Sequence, residues 1–322
     1  MQRFIQRLVV AAALSTMVLG VARAETYPSK PIQIVITSTP GSASDAITRL
    51  LGVEVTKSLG QPIIVINKAS AAGTIGADYV RRAPPDGYTL FFGGNTTMAA
   101  NLFLVKNLSY DPIRDFEPIT QVSVNPLLLV VRANLPVKSV SELVAYAKRR
   151  PGEMNYGVGN AGGRVAAQLL QSITGMKAQD ISFNGASQAA LDLVAGRLDF
   201  MLVDPLVVDA FIQQGTLRPL AVTSSVRLPS MPAIPTMQEA GVPGYDYASW
   251  LGYYAPRGTP KVITDKLNAA FVKALESDEA KAYFHRMGMI GKASTPAGLA
   301  AFNKEQITSW ERWVKEAGME PQ

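Results

Sequence analysis

The sequence predicts an α/β protein of two lobes joined by a two-strand hinge, with a cleft between the lobes. Short runs rich in β-branched residues alternate with helical patterns, as in repeated strand–helix units. Two extended apolar segments, 118–131 and 249–255, bracket the middle series of these units. A chain with this layout crosses twice between lobes. We therefore expect one lobe from residues 25–123 and 250–322, and the second from residues 124–249.

The N-terminus has the pattern of a secretory signal peptide, which we assign to residues 1–24. Arg3 and Arg7 precede an uncharged apolar run, 8–21, which is shorter than the roughly 20 residues that span a bilayer. Small residues on either side of an arginine at 22–24 form a cleavage pattern. We expect cleavage after Ala24, export to the periplasm and a soluble mature protein.

The residue types present exclude several kinds of chemistry. The 322-residue chain has no cysteine and one histidine, His285, which excludes disulfides, thiolate catalysis and a His-rich metal site. Without the three arginines of the signal peptide, 28 basic residues face 25 acidic ones, a net charge of +3. This mild excess, without any Lys/Arg run, argues against nucleic-acid binding and suits an anionic small ligand. We predict neither a metal nor a cofactor.

The first lobe is predicted from three strand–helix units and three C-terminal helices. The expected strands cover 32–37, 63–67 and 88–92. One helical pattern ends at Gly60, and a second runs from the loop 71–76 through Val80. The C-terminal helices are expected at 261–275, 278–287 and 296–315.

The second lobe opens with a capping box, Ser139 to Glu142, which starts a helix that reaches Arg149. The strand, glycine and helix signals that follow alternate as in the first lobe. They predict strands at 155–156, 181–183, 198–203 and 217–223, and helices at 164–174 and 187–195.

Small, polar, glycine-rich loops follow several strands and begin helices. They lie at 38–45, 71–76, 93–97 and 157–164, the first three in one lobe and the fourth in the other. Ligands of open α/β sheets bind beyond the carboxyl ends of strands, where helix N-termini leave N–H groups free for anions. Glycine after any one strand is also ordinary turn punctuation. Together, the four loops predict a carboxylate site between the lobes.

Three single residues permit two interpretations each. Asp45 opens a helix, so its first interpretation is an N-cap, and its second is a ligand contact. Asp204 follows a strand at the cleft, where it either accepts a hydrogen bond from a ligand amine or hydroxyl or serves a structural role. His285 lies among aromatic residues on a C-terminal helix and is expected to be packed or on the surface.

The segment 157–162 matches G-x-G-x-x-G between a strand and a helix, which leaves a dinucleotide-binding oxidoreductase as an alternative. That fold needs an acidic residue near the end of the next strand. Here Asp180 is expected before that strand, and Asn184 stands at its end. An exported protein is also separated from the nicotinamide pool. No nucleophile–base pair stands out, so a binding protein is favoured over an enzyme.

Eight segments resemble, in order, the Bug family of periplasmic solute-binding proteins, the receptors of tripartite tricarboxylate transporters. They include the Pro-Gly-(small)-Asp loop at 40–45 and stand at 27–32, 40–45, 60–65, 73–77, 85–90, 110–116, 217–224 and 255–260. The resemblance implies a type II periplasmic binding protein fold that closes over a small organic acid, without catalysis. It also implies membrane transporter subunits as partners, and we expect a monomer. A receptor that signals to a membrane kinase has the same sequence features, so that function stays open.

Carboxylate recognition in this family uses the first strand–helix loop and its counterpart in the other lobe, which implies residues 40–45 and 157–164 here. Together with the other strand-end loops, this predicts a set of ligand-binding residues. The candidates are Ser38, Thr39, Pro40, Gly41, Ser42, Ala43, Ser44, Asp45, Gly73, Thr74, Asn95, Thr96, Gly159, Asn160, Gly162, Gly163, Arg164, Asn184 and Asp204.

The sequence departs from the family pattern at two places. Hydroxyl residues stand in the first loop, where members usually have glycine, and either donate to the ligand or cap the helix. Arg164 stands where members often have histidine. Its guanidinium is expected either to make a bidentate pair with a second ligand carboxylate or to lie on the surface.

Overall fold

The computed structural model describes residues 27–70, 72–316 and 320–321. The predicted signal peptide, residues 1–24, lies outside these ranges. Two mixed β-sheets with helices packed on them form two lobes, so the predicted fold class is confirmed. Within the described ranges, none of the helices combines the length and apolar character needed to cross a membrane.

Six strands form the first sheet: β1 (Ile32–Ile36), β2 (Ile63–Asn67), β3 (Thr89–Gly94), β4 (Phe116–Pro126), β10 (Ala248–Pro256) and β11 (Ile290–Gly291). Their spatial order is β11-β4-β10-β3-β1-β2. β1 pairs in parallel with β2 and β3, whereas β10 pairs antiparallel with β3 and β4. β1 is an almost continuous buried apolar run because both faces of this sheet are covered.

The second sheet consists of β5 (Leu128–Arg132), β6 (Met154–Val158), β7 (Ala178–Ser182), β8 (Phe200–Val203) and β9 (Leu217–Val222). Its order is β7-β6-β8-β5-β9. β6 is parallel to β7 and β8, and β5 is antiparallel to β8 and β9. The carboxyl ends of β6 and β8 therefore lie at one edge of this sheet, where the loops after them meet.

The helices of the first lobe are α1 (Ala43–Leu59), α2 (Thr74–Arg81), α3 (Asn101–Leu104), α8 (Lys261–Leu275), α9 (Asp278–Arg286) and α10 (Pro296–Glu316). Those of the second lobe are α4 (Val140–Lys148), α5 (Ala161–Thr174), α6 (Ala186–Val194) and α7 (Pro205–Gln213). A π-helical turn, Thr96–Ala100, leads into α3. Ser139 caps α4 as predicted, with its Oγ accepting from the backbone N–H of Glu142 at 3.1 Å.

Four predicted details are wrong or incomplete. The helix α5 begins three residues earlier than predicted, because Asn160 caps it. Asp180 lies inside β7 rather than before the strand. The helix α7, opened by Pro205 in its first turn, was not predicted, although proline is well suited to that position. The π-helical turn after β3 carries no sequence signal of its own.

The middle of the first sheet contains a cluster of aromatic side chains. Trp250, Tyr253 and Tyr254 of β10 are almost fully buried. The ring of Tyr253 stacks on Phe271 of α8 with centroids 4.1 Å apart. These side chains therefore belong to the core. His285 is exposed on α9, in agreement with one of its two predicted placements.

The chain crosses between the sheets where three segments meet at Leu127, Thr223 and Tyr247, which we call the hinge. Leu127 alone separates β4 from β5. Its N–H donates to the Thr223 hydroxyl at 2.7 Å, and its carbonyl accepts from the Thr223 N–H at 2.9 Å. The Tyr247 N–H donates to the Thr223 carbonyl at 2.9 Å. Thr223 is fully buried, so these bonds are shielded from water.

Replacing Thr223 with valine is expected to destabilise the protein by about 1–3 kcal/mol, because the buried Leu127 N–H loses its acceptor without access to water. Thr223→Ser keeps the hydroxyl and is the matched control. Urea unfolding of both variants measures the difference. Equal stability of Thr223→Val and Thr223→Ser would show that the hydroxyl does not hold the hinge.

Candidate functional site

A cavity of about 260 Å³ lies between the lobes beside the hinge. Both lobes and the crossing segments contribute to its wall. The lining residues are Asn95, Thr96, Ala100, Leu104 and Trp310 from the first lobe, Asn160, Gly162 and Asp204 from the second, and Leu127, Tyr247 and Ser249 from the crossing segments. Strand ends of both sheets meet here, as they do in ligand sites of open α/β proteins.

A wider groove of about 950 Å³ lies on the first lobe alone. It is lined by residues of 112–118, 254–268 and 295–304, including Arg257 and Lys304. The described residues that line it all belong to the first lobe, so a ligand there contacts one lobe only. The interlobe cavity is the better candidate site because polar groups of both lobes converge on it.

Asn95 follows β3 and carries a side-chain amide into the cavity wall. Its Oδ1 accepts from the indole N–H of Trp310 at 2.7 Å. Because an indole nitrogen only donates, this contact fixes the amide orientation and directs the Nδ2 group away from Trp310. The bond also joins α10 to the end of β3. The Asn95 amide thus has a fixed orientation, with its Nδ2 group as the donor on the side away from Trp310.

The N-terminus of α5 forms the opposite side of the cavity. Asn160 is the N-cap, and its Oδ1 accepts from the Gly163 N–H at 2.8 Å. The first N–H groups of a helix have no intrahelical partner, and the helix dipole makes this end attractive to anions. Gly162 stands in this first turn, where an added Cβ would lie 3.1 Å from the Tyr247 hydroxyl oxygen. The glycine leaves the helix end open to the cavity.

Packing accounts for the other three glycines of this loop. A Cβ on Gly157 would lie 2.6 Å from Leu198 Cδ1, one on Gly159 would lie 2.3 Å from the backbone of Ala186, and one on Gly163 would lie 2.7 Å from the Leu202 carbonyl oxygen. Gly157 and Gly159 of the G-x-G-x-x-G pattern therefore allow the loop to pack closely on its neighbours, and Gly163 does the same for α5. A dinucleotide phosphate is not needed to explain it.

Asp204 directly follows β8 and is the N-cap residue of α7, without a side-chain cap hydrogen bond. Its side chain lines the cavity, and burial raises its pKa more than its own backbone N–H lowers it. Burial, and secondarily the charge of Asp204, raise the pKa of the Tyr247 hydroxyl. In the described part of the chain, no Lys or Arg side chain lines this cavity.

The first loop, 38–45, is held together by its own side chains. The carboxylate of Asp45 accepts from the Gly41 N–H at 3.1 Å, from Asn67 Nδ2 at 3.1 Å and from two guanidinium nitrogens of Arg49. Hydrogen bonds from Arg49 and Gly41 lower the pKa of Asp45 to about 2. The N-cap of α1 is Ser42, whose Oγ accepts from the Asp45 N–H, so the N-cap interpretation of Asp45 is wrong.

None of the candidate residues of the first loop lines the interlobe cavity. The hydroxyls of Ser38 and Ser42 lie 2.8 Å apart and bind each other. Thr39, Pro40, Gly41 and Ala43 are exposed, and Ser44 is half-buried.

Gly73 and Thr74 begin α2 beside this region without lining the cavity. Gly73 has a positive φ of 70°, and a Cβ there would lie 2.6 Å from Thr97 Cγ2. Gly73 therefore permits close packing of the α2 start against the π-helical turn after β3.

Arg164 does not line the cavity. Its guanidinium donates to Asp180 at 2.8 Å and to the Ser182 hydroxyl at 2.7 Å, on β7. Asn184 is exposed beyond the end of β7 and is also outside the cavity wall.

Five of the predicted residues thus lie together in the cavity wall: Asn95, Thr96, Asn160, Gly162 and Asp204. Trp310, Tyr247 and Ser249 were not among the candidates. Trp310 is buried, so its side chain also belongs to the core. Tyr247 and Ser249 lie at or next to the second predicted crossing between the lobes. Their position in the sequence could therefore have indicated that they border the cleft. Among the described residues, no His, Asp and Glu side chains cluster in a way that would hold a metal ion.

Two α/β lobes with a cavity between them, lined by polar groups from both, are typical of solute-binding proteins. The chain matches the tripartite tricarboxylate transporter family receptor over residues 47–319. Protein BugT of Bordetella pertussis is 33% identical over 318 residues, covering 97% of this chain and 98% of BugT. The chain therefore belongs to the receptor family of tripartite tricarboxylate transporters, and the resemblance to the Bug family is confirmed.

Two solved structures of related proteins contain carboxylates. The structure of an R. palustris protein with adipate is 33% identical, with a TM-score of 0.75, and the match covers 92% of this chain and 100% of that chain. MatC from Rhodopseudomonas palustris with bound malate is 32% identical, with a TM-score of 0.70, and the match covers 89% of this chain and 100% of that chain.

The pKa of Asp45 predicts how its contribution to stability depends on pH. The ionised carboxylate is favoured in the folded state, so its stabilisation is complete above the unfolded value of 3.8 and is lost as the pH falls through about 2. Asp45→Asn is therefore expected to unfold at lower urea concentration than the wild type at pH 7, with the difference vanishing near pH 2.

Asp265→Asn serves as the control, because it breaks an exposed ion pair with Lys261 on α8. Exposed pairs contribute little, so this variant should stay within about 0.5 kcal/mol of the wild type at pH 7. A gap between Asp45→Asn and the wild type that is as large at pH 2 as at pH 7 would contradict the electrostatic role of Asp45.

Proposed function

We propose that the mature protein is a periplasmic receptor that captures a small organic acid in the interlobe cavity and delivers it to the membrane subunits of a tripartite tricarboxylate transporter. The observation that carries this proposal is the convergence of strand ends from both lobes, with polar groups from each, on one small cavity. Family membership and the relatives determined with adipate and malate support a carboxylate ligand. The predicted signal peptide supports export.

The ligand carboxylate is expected at the N-terminus of α5. The free N–H groups of the first helical turn and the helix dipole favour an anion there, by about 0.3–1 kcal/mol when exposed and up to about 2 kcal/mol when partly buried. Asn95 Nδ2 approaches from the first lobe. One carboxylate contacting both groups joins the two lobes through hydrogen bonds.

Closure follows from this bridging arrangement. A ligand favours the closed form only by the extra affinity that it has for that form. A ligand contacts both Asn95 and the α5 N-terminus only when the lobes are near each other. The two contacts together therefore supply the extra affinity for the closed form. The three segments at Leu127, Thr223 and Tyr247 are the axis about which we expect the lobes to turn.

The first loop is proposed to complete the site. β1 lies next to β3 in the sheet, so residues 38–45 begin at the same sheet edge as Asn95. The Gly41 N–H and the Thr39 carbonyl are already bound, to Asp45 and to the Ser42 N–H. Thr39 is exposed, so its N–H is the backbone donor proposed for a ligand or for bridging water. Asp45 shapes this loop through its hydrogen bonds and is not itself expected to touch the ligand.

A thermal-shift screen of residues 25–322 against mono-, di- and tricarboxylates and amino acids tests the proposal. A ligand at 100 times its Kd adds about 2.7 kcal/mol, which raises the melting temperature by several degrees at roughly 2–4 °C per kcal/mol. Gly162→Ala is expected to weaken binding of the best ligand by about tenfold. The added methyl group would lie 3.1 Å from the Tyr247 hydroxyl oxygen and take up space in the cavity wall. Its fold should be retained, because alanine favours a helix over glycine.

Gly298→Ala is the matched control, a glycine in the first turn of α10 that does not line the cavity. It is expected to bind like the wild type. No shift with any acid, or equal weakening in both glycine variants, would contradict a carboxylate site in this cavity.

A further inference from the structure

Asp204 has an ionisable acidic side chain, and among the described residues of the cavity wall no Lys or Arg side chain pairs with it. The rest of the lining consists of amides, hydroxyls, glycine and apolar or aromatic side chains. Asp199 directly precedes the same strand and, unlike Asp204, has a cationic partner. Its carboxylate lies 3.0 Å from Arg132 Nη2 and accepts from the Asn155 N–H at 2.9 Å.

A carboxylate that is removed from water without a cationic partner disfavours the charged form. Burial accordingly raises the pKa of Asp204. Tyr247 is the titratable side chain that shares the cavity wall with it, and that hydroxyl carries no positive charge. Asp204 is the N-cap residue of α7, whose dipole favours a carboxylate there, but within the described part of the wall no side chain supplies a positive charge.

This charge affects which acids fit. A dicarboxylate that places one carboxylate at the α5 N-terminus brings the other into a cavity of about 260 Å³ that already holds Asp204. Two carboxylates at such close range repel each other. An ammonium group in the same place supplies the missing counter-charge and donates up to three hydrogen bonds.

We infer that the ligand is a small zwitterionic amino acid, with its carboxylate at the α5 N-terminus and Asn95 and its ammonium group on Asp204. The inference rests on the proposed function and names the ligand class of that same site. It sets this chain apart from the relatives determined with adipate and malate.

The remaining wall fits a short carbon skeleton. Ala100, Leu104 and Leu127 supply an apolar surface, and Trp310 and Tyr247 add aromatic rings. Aromatic rings also attract ammonium groups. An amino acid with a small aliphatic side chain fits all three parts of the cavity. Its carboxylate meets the donors at Asn95 and the α5 N-terminus, its ammonium group meets Asp204, and its side chain meets the apolar wall.

Isothermal titration at pH 7 with 2-aminobutanoate, 2-hydroxybutanoate and butanoate isolates the ammonium group, since the three acids differ at one substituent. Succinate and malate complete the panel as dicarboxylates. The amino acid is expected to bind roughly 30-fold or more tightly than butanoate, the range for pairing an otherwise isolated buried charge. Succinate and malate are expected to bind more weakly than the amino acid.

Two variants assign the effect to Asp204. Asp204→Asn should lose roughly 30-fold or more in affinity for 2-aminobutanoate and gain affinity for succinate. It should also raise the melting temperature of the unliganded protein by about 2–4 °C, because a half-buried charge without a cationic side-chain partner is removed. Asp199→Asn is the control, expected to lower the melting temperature and to leave the ligand preference unchanged.

The outcomes separate this inference from the proposed function. Tight binding of succinate or malate without binding of the amino acid overturns the inference and leaves a carboxylate receptor. Unchanged ligand preference in Asp204→Asn, with a lowered melting temperature, also overturns it by assigning Asp204 a structural role. Failure of every acid to bind contradicts the proposed function itself.

Discussion

The position of the cavity depends on the hydrogen bonds that the Thr223 hydroxyl and backbone make to Leu127 and Tyr247. β4 passes into β5 through Leu127 alone, and Thr223 holds that residue from both sides. The same threonine accepts from Tyr247, where the chain returns to the first sheet. The two sheets are thereby joined at one buried point. Strand ends from both lobes are brought to the space beside it, and this space is the interlobe cavity.

The segment that returns to the first sheet directs alternate side chains into two different cavities. Tyr247 and Ser249 line the interlobe cavity, whereas Ala248 and Trp250 line a separate small cavity on the other side. This alternation is the normal period of an extended chain. α10 closes the site from a third direction, since Trp310 both lines the cavity and orients Asn95. A segment late in the chain therefore positions a donor that follows β3.

The sequence predicts the fold well because local patterns determine its elements. β2 and α8 begin and end where the hydrophobic periodicity and turn residues place them. The strand-end loops also indicate five cavity residues, since topology brings such ends together. Trp310 and Tyr247 escape prediction because their roles depend on contacts with residues far away in the chain. Arg164 is committed to Asp180, a strand residue whose position inside β7 was not recognised from the sequence.

The central claim is that one small acid binds between the lobes, in contact with both. A crystal structure of the mature protein grown with the best ligand of the screen tests it most directly. The account predicts ligand density in the interlobe cavity, with a carboxylate at the start of α5 and within hydrogen-bond distance of Asn95. Density confined to the wider groove on the first lobe, beside Arg257 and Lys304, would contradict it.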